Sequence, residues 1–222
     1  MITSPAAAPL WRRYVAMSLP AVMPVAMKAV FDATTRRHGP QRGYQAGFAV
    51  YWASCWAAAA ALVGPRRLRR LWLVPEPPLP APLALSTAVL LTPPLGGLAT
   101  QWIPHARASG PVAVAVTAGV GTINALAKET FWRGIPVANF PHDPVGGWLW
   151  PAIGFTAWHL VPLSLRPSGT RRRTSLLAGA AVIGLGYGWM ALRTRSLAIT
   201  GPAHAITDSS GLQPVRANWL RH

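Results

Sequence analysis

The chain has 222 residues, of which 51% are hydrophobic and only 12% charged, with a mean hydropathy of +0.28. A soluble domain is usually about one quarter charged, so this composition excludes an ordinary water-soluble globule. The formal net charge is +16, from 21 Lys or Arg against five Asp or Glu, a balance that in a soluble chain would point to nucleic acid. Nucleic-acid binding wants basic residues gathered on one face with stacking aromatics between them. Here the arginines fall instead in short clusters, Arg12-Arg13, Arg36-Arg37, Arg66-Arg67-Leu68-Arg69-Arg70, Arg171-Arg172-Arg173 and Arg193/Arg195, and no nucleic-acid partner is expected. The stretches between the clusters are apolar and about long enough to cross a bilayer as helices. The single Cys55 lies inside one of them and can form no internal disulfide.

Apolar runs predict spans at approximately 14–31, 44–63, 81–100, 111–139, 146–165, 174–192 and 196–212. The expected fold class is therefore all-α, a polytopic integral membrane bundle of about seven to eight transmembrane helices. The first span follows Arg12-Arg13 and contains Pro20 and Pro24; with no small-x-small cleavage site before Lys28, it reads as a retained helix, not a signal sequence. Residues 73–82 read as a proline-rich extended connector. Pro93-Pro94 interrupt the third span, a break that membrane helices tolerate when neighbouring helices satisfy the freed carbonyls. The fourth is too long for one crossing and contains Lys128, Glu129 and Arg133, so its second half is expected to line something polar. Phe-Pro-His142-Asp143-Pro, before the fifth, has the chemistry of a turn. In the sixth, Gly184 and Gly188 form a small-xxx-small pair that lets another helix approach closely. Trp11, Trp72, Trp102, Trp148 and Trp150 sit near span ends, as an interfacial belt would place them. Basic residues divide almost evenly between the two sides, and the positive-inside rule leaves the orientation open. Three regions are expected: front transmembrane helices without a motif at 1–110, a core at 111–212 and a short basic tail at 213–222.

The five acids are Asp32, Glu76, Glu129, Asp143 and Asp208, and of these Glu129 and Asp208 fall inside apolar spans. An ionisable group costs roughly 2.5–3.5 kcal/mol at the centre of a membrane helix on insertion scales, which makes each such residue a candidate for function. The same filter retains His159 and His204 among the histidines. Residues four apart on a helix share a face. Glu129 and Arg133 are such a pair, Phe155 stands one turn before His159, and His204 stands one turn before Asp208. A bundle that joined these faces would enclose two imidazoles and two carboxylates, able to activate water as bases or as metal ligands and to stabilise an oxyanion.

These residues resemble the CPBP family of intramembrane endopeptidases, the CAAX proteases and bacteriocin-processing enzymes also called Abi. That family is marked by Glu-Glu-xxx-Arg, Phe-xxx-His and His-xxx-Asn or Asp on successive helices. Phe155/His159 and His204/Asp208 match the last two motifs, and Glu129, Arg133 and the following Gly134 match the first. The resemblance covers roughly 111–212. It implies water-mediated hydrolysis of a peptide bond in a buried pocket, in the plasma membrane of a bacterium and surrounded by lipid. The implied substrate is a peptide or protein, such as a C-terminally prenylated or bacteriocin-like peptide. Carried over, the catalytic residues would be Glu129, His159, His204 and Asp208. His159 would activate water, His204 and Asp208 would steady the oxyanion, and Glu129–Arg133 would support the pocket. His159 and His204 would be the ligands if the site holds Zn²⁺. At the position of the family's first glutamate stands Lys128, on one helical face with Asn124 and Trp132. That exchange leaves several readings open: a non-catalytic relative that still binds a substrate-like helix or peptide and acts in binding or immunity, Glu129 as base after a local shift, a desolvated Lys128 as the base, or a lysine snorkelling to the membrane surface.

Overall fold

The computed structural model describes residues 9–73, 81–165 and 169–219. They form eight helical rods and no strand: α1 (Leu10–His38), α2 (Pro40–Leu62), α3 (Pro65–Leu71), α4 (81–107), α5 (Pro111–Asn139), α6 (145–164), α7 (Thr170–Thr194) and α8 (Thr200–Trp219). Among the described residues α1, α5 and α7 are each long and apolar enough to cross a membrane. The bent pair α2–α3 is a fourth if taken as one span.

Each apolar stretch of the sequence falls on one rod; α5 keeps the expected bounds of 111–139, and most of the others run past them at one end or both. Helix α1 opens at Leu10 and so takes Arg12 and Arg13 into its first turns. Helix α8 starts later than expected, at Thr200, because Arg195 adopts a left-handed φ of 51° that ends α7 and begins a turn. Most of the proline-rich connector, 74–80, lies outside the described residues, and its last two residues already belong to α4. The rod missing from the sequence reading is α3. Gly64, at φ +82°, lets the chain break after α2, and α3 leaves at 108° to it.

Three π turns widen the rods, at Leu98–Trp102 in α4, Thr130–Gly134 in α5 and Val145–Leu149 at the start of α6. Each ends two residues before a proline, Pro104, Pro136 and Pro151 respectively. A proline in a helix offers no N–H to the preceding turn and its ring collides with that turn's carbonyl, so a widened turn just before it relieves the clash.

Two packing layers position the site. In the front half, Phe31 of α1 and Tyr44, Phe48 and Tyr51 of α2 form an edge-to-face aromatic layer. Tyr51 stacks flat on Trp158 of α6 at 3.9 Å between ring centroids and 12° between planes. In the back half α5 and α8 cross very closely. A Cβ on Gly121 would stand 2.3 Å from Ser209 Oγ, so only glycine permits that approach. The crossing sets residues 124–129 of α5 opposite 200–208 of α8. Gly184 and Gly188 of α7 lie against α6: a Cβ would meet Ala152 O and Phe155 at 3.2 Å from Gly184, and Trp148 at 2.9 Å from Gly188.

Candidate active site

Lys128 and Glu129 are consecutive on α5, and about 100° of helical rotation sends their side chains to different partners. Glu129 is completely buried. His204 Nδ1 donates to its Oε1 at 2.7 Å, and Thr200 Oγ1 donates to its Oε2 at 2.7 Å. Arg133 Nη1 stands 3.2 Å from Oε1, an ion pair without hydrogen-bond alignment. The same guanidinium lies 4.1 Å above the centre of the Phe155 ring and donates through Nη2 to Ile183 O at 3.3 Å. This inner cluster ties α5 to α6, α7 and α8. The carboxylate has neither a free oxygen nor contact with solvent.

Lys128 does not snorkel. Its side chain is buried and turns inward, with Nζ 3.2 Å from both carboxylate oxygens of Asp208. Asn124 Nδ2 donates to Asp208 Oδ2 at 2.7 Å, and Trp52 Nε1 of α2 donates to Asn124 Oδ1 at 2.9 Å. An indole can only donate, so Trp52 fixes which end of the Asn124 amide faces Asp208. His204 Nε2 lies 3.6 Å from Asp208 Oδ1, too far for a hydrogen bond but close enough to link this outer cluster to the inner one.

His159 occupies the joint where α6 breaks between Trp158 and Leu160. Its Nδ1 donates to Phe155 O at 2.8 Å, which leaves the lone pair on Nε2. Nε2 has no hydrogen-bond partner among the described residues, and the ring is in electrostatic reach of Lys128, Asp208 and His204. Phe155 joins the parts: its ring meets His159 edge-on at 4.7 Å and His204 at 5.7 Å, while Arg133 lies over its face. On the far side, Trp132 Nε1 donates to Tyr51 OH at 2.8 Å, and Tyr51 backs the Trp158 ring next to His159.

All six residues singled out in the sequence thus gather in one region: Lys128, Glu129, Arg133, His159, His204 and Asp208. His142 and Asp143 do not join them. Asp143 Oδ1 accepts the Val145 N–H at 2.9 Å, as a turn residue does, and His142 accepts from Arg195 Nη2 at 3.2 Å. Two polar partners went unread. Thr200 was legible, since Thr200, His204 and Asp208 recur at intervals of four and share one helical face. Trp52 had no signal, because nothing in a sequence says which indole will face which amide.

The residues present do not fit a zinc ion. His204 spends Nδ1 on Glu129, both oxygens of Asp208 face the Lys128 ammonium, and an ammonium there repels a dication. No group of three or more His, Cys, Asp or Glu among the described residues has the arrangement to hold a metal.

With this geometry in place, the comparisons with known proteins are direct. Residues 110–210, a little under half of the chain, match the model for type II CAAX prenyl endopeptidase Rce1-like proteins. This segment is similar to the Rce1-like family. It runs from the start of α5 into α8 and contains both clusters and His159. The described residues are all helical, three of the rods are long and apolar enough to cross a membrane, and 110–210 is similar to the core of a CAAX protease family, for which lipid is the surroundings. Trp52 and the aromatic layer of α1 and α2 lie outside the Rce1-like segment. Comparison with curated proteins and with solved structures gives no match.

Proposed function

We propose that this protein is an intramembrane endopeptidase of the CAAX-protease type in which His159, rather than a glutamate, takes the proton from water. The observation that carries the reading is the open Nε2 lone pair of His159 beside a buried ammonium. A water held at Nε2 gives up a proton to the ring as its oxygen attacks the carbonyl carbon of the scissile peptide. The carbonyl electron pair moves onto oxygen, and the resulting oxyanion is stabilised by Lys128, which Asp208 and Asn124 hold in place. When the carbonyl re-forms, the C–N bond breaks and the proton on His159 passes to the leaving amine nitrogen. A positioned base contributes about 10²- to 10⁴-fold, and a preorganised oxyanion donor about 10²- to 10³-fold. His204, pinned by Glu129, and the Glu129–Arg133 pair keep this arrangement rigid. No step runs through a metal. The substrate class is a peptide presented at the membrane, with a C-terminally prenylated peptide as the first candidate from the family's description. The setting is the plasma membrane of a bacterium, which fractionation of expressing cells would check.

The test is cleavage of a quenched-fluorescent prenylated peptide by the purified chain in detergent. His159→Ala should lower turnover about 10²-fold or more, in line with loss of a general base. If His159→Ala and His204→Ala both cleave as well as the parent, the reading is wrong.

A second reading, a membrane protein that keeps the fold for binding or immunity without hydrolysis, is favoured by one specific observation. The position of the family's first glutamate is held by a lysine already bonded to Asp208, and Glu129 beside it is fully engaged. Lys128→Glu separates the two. A large gain of peptidase activity identifies a disabled enzyme, and loss of activity from an active parent excludes one.

A further inference from the structure

Six arginines meet at one end of the bundle. Arg12 and Arg13 lie in the first turns of α1, and Arg66, Arg67, Arg69 and Arg70 occupy four of the seven positions of α3. Helix α3 is amphipathic in the simplest way: Leu68 and Leu71, three apart, face the core, and the arginines take the remaining sides. Its end is fastened to the turn between α7 and α8, where Leu197 N donates to Leu71 O at 2.6 Å and Ser196 Oγ donates to Leu73 O. The fold thereby brings Arg67, partly buried, within electrostatic reach of Arg12.

Two features of this face are unexplained by the chain itself. Like charges are held together although no carboxylate among the described residues pairs with any of the six. Glu76, the one acid near in sequence, could offset a single charge of the six. In addition, Arg12 Nε is buried without a hydrogen-bond partner, while its guanidinium lies over the Trp11 ring at 5.3 Å. Both features call for an anion between α1 and α3. All six basic residues are arginine, whose planar fork grips a phosphate through two parallel N–H···O bonds. An exposed Trp11 and a partly buried Trp72 flank the face, in the way that indoles mark the headgroup level of a bilayer. Helix α3 turns away from α2 at 108°, so its arginines are not carried along the axis of that rod. Clusters of four or more arginines next to a transmembrane helix attract anionic lipid.

We propose that the arginine face formed by the start of α1 and by α3 is a binding site for the phosphate headgroup of an anionic phospholipid, held by Arg12 and Arg67 and ringed by Arg13, Arg66, Arg69 and Arg70. The site does not depend on whether the chain hydrolyses peptides.

The experiment is native mass spectrometry of the full chain in a neutral detergent, titrated with phosphatidylglycerol or with phosphatidylcholine of the same acyl chains. One phosphatidylglycerol should be retained in preference to phosphatidylcholine, and Arg12→Gln/Arg67→Gln should weaken that retention at least tenfold. The control is Arg171→Gln/Arg172→Gln/Arg173→Gln, which removes more charge from the start of α7, about a bilayer's thickness away, and should leave retention unchanged. If the double variant fails to fold, Arg69→Gln/Arg70→Gln, at two exposed positions, should still weaken retention several-fold. Equal retention of the two lipids overturns the proposal. So does an equal loss in the α7 control, which would mean diffuse charge attraction. Displacement of the lipid by millimolar inorganic phosphate would identify a free-phosphate site and overturn it as well.

Discussion

The inner and outer clusters have similar ingredients, one cation and one carboxylate from α5 and α8 or from α5 alone, yet they are built for opposite ends. Around Glu129 everything is closed. Side-chain exposure is 0% for Glu129 and 1% for Arg133, and both carboxylate oxygens are bonded. Around Lys128 the exposure is 7%, rising to 14% at Asp208, and the half-buried His159 adds an unbonded nitrogen. One cluster welds four helices together and the other leaves chemistry available. Neighbouring residues of one helix can serve both because a single step of rotation separates them, and α8 supplies partners to each, Thr200 and His204 to the first and Asp208 to the second.

The contrast can be broken most violently on the inner side. Glu129→Gln leaves the buried Arg133 guanidinium without a counter-charge, and removing one partner of a buried pair costs about 3–5 kcal/mol. Unfolding of the variant in detergent, followed by temperature or denaturant, should show a loss of that size; a variant as stable as the parent would mean that the cluster is not structural. On the outer side Lys128→Met strands the Asp208 carboxylate, but Asn124 still donates to it and some water reaches it. The expected cost is therefore smaller, about 1–3 kcal/mol, with a larger effect on turnover than on stability. The mildest change is Trp52→Phe, which keeps a ring in place and removes only the N–H to Asn124. It should cost about 1 kcal/mol and should cost nothing further in an Asn124→Leu background, since the two act through one bond. Additive losses in that cycle would separate Trp52 from the site.

How far the sequence reaches follows the same division. Spacing of four along a helix correctly joined Glu129 to Arg133 and His204 to Asp208, because a shared face is a local property. It could not join Glu129 to His204, Lys128 to Asp208, or Trp52 to Asn124, which depend on how helices cross. The Gly121–Ser209 contact that fixes one such crossing is one glycine among 20, with no mark of its own. Apolar runs found seven rods and passed over α3, since a helix with four arginines in seven residues looks like a loop to a hydropathy window. Seen from the sequence, Lys128 had several possible destinations. Its inward turn toward Asp208 became visible only with α8 in place.

The π turn at Thr130–Gly134 gives α5 two azimuths where an unbroken α-helix would have one. Up to Glu129 the rod addresses α8. Beyond it, Trp132 reaches Tyr51 on α2 and Arg133 reaches Ile183 on α7, neighbours that lie off that direction. Pro136, two residues beyond that turn, sustains the offset. The length of this segment is therefore as much a part of the site as its composition. Deleting one residue between Thr130 and Gly134 would shorten the rod by only about 1.5 Å, yet it would turn everything on one side of the cut by more than a quarter of a revolution.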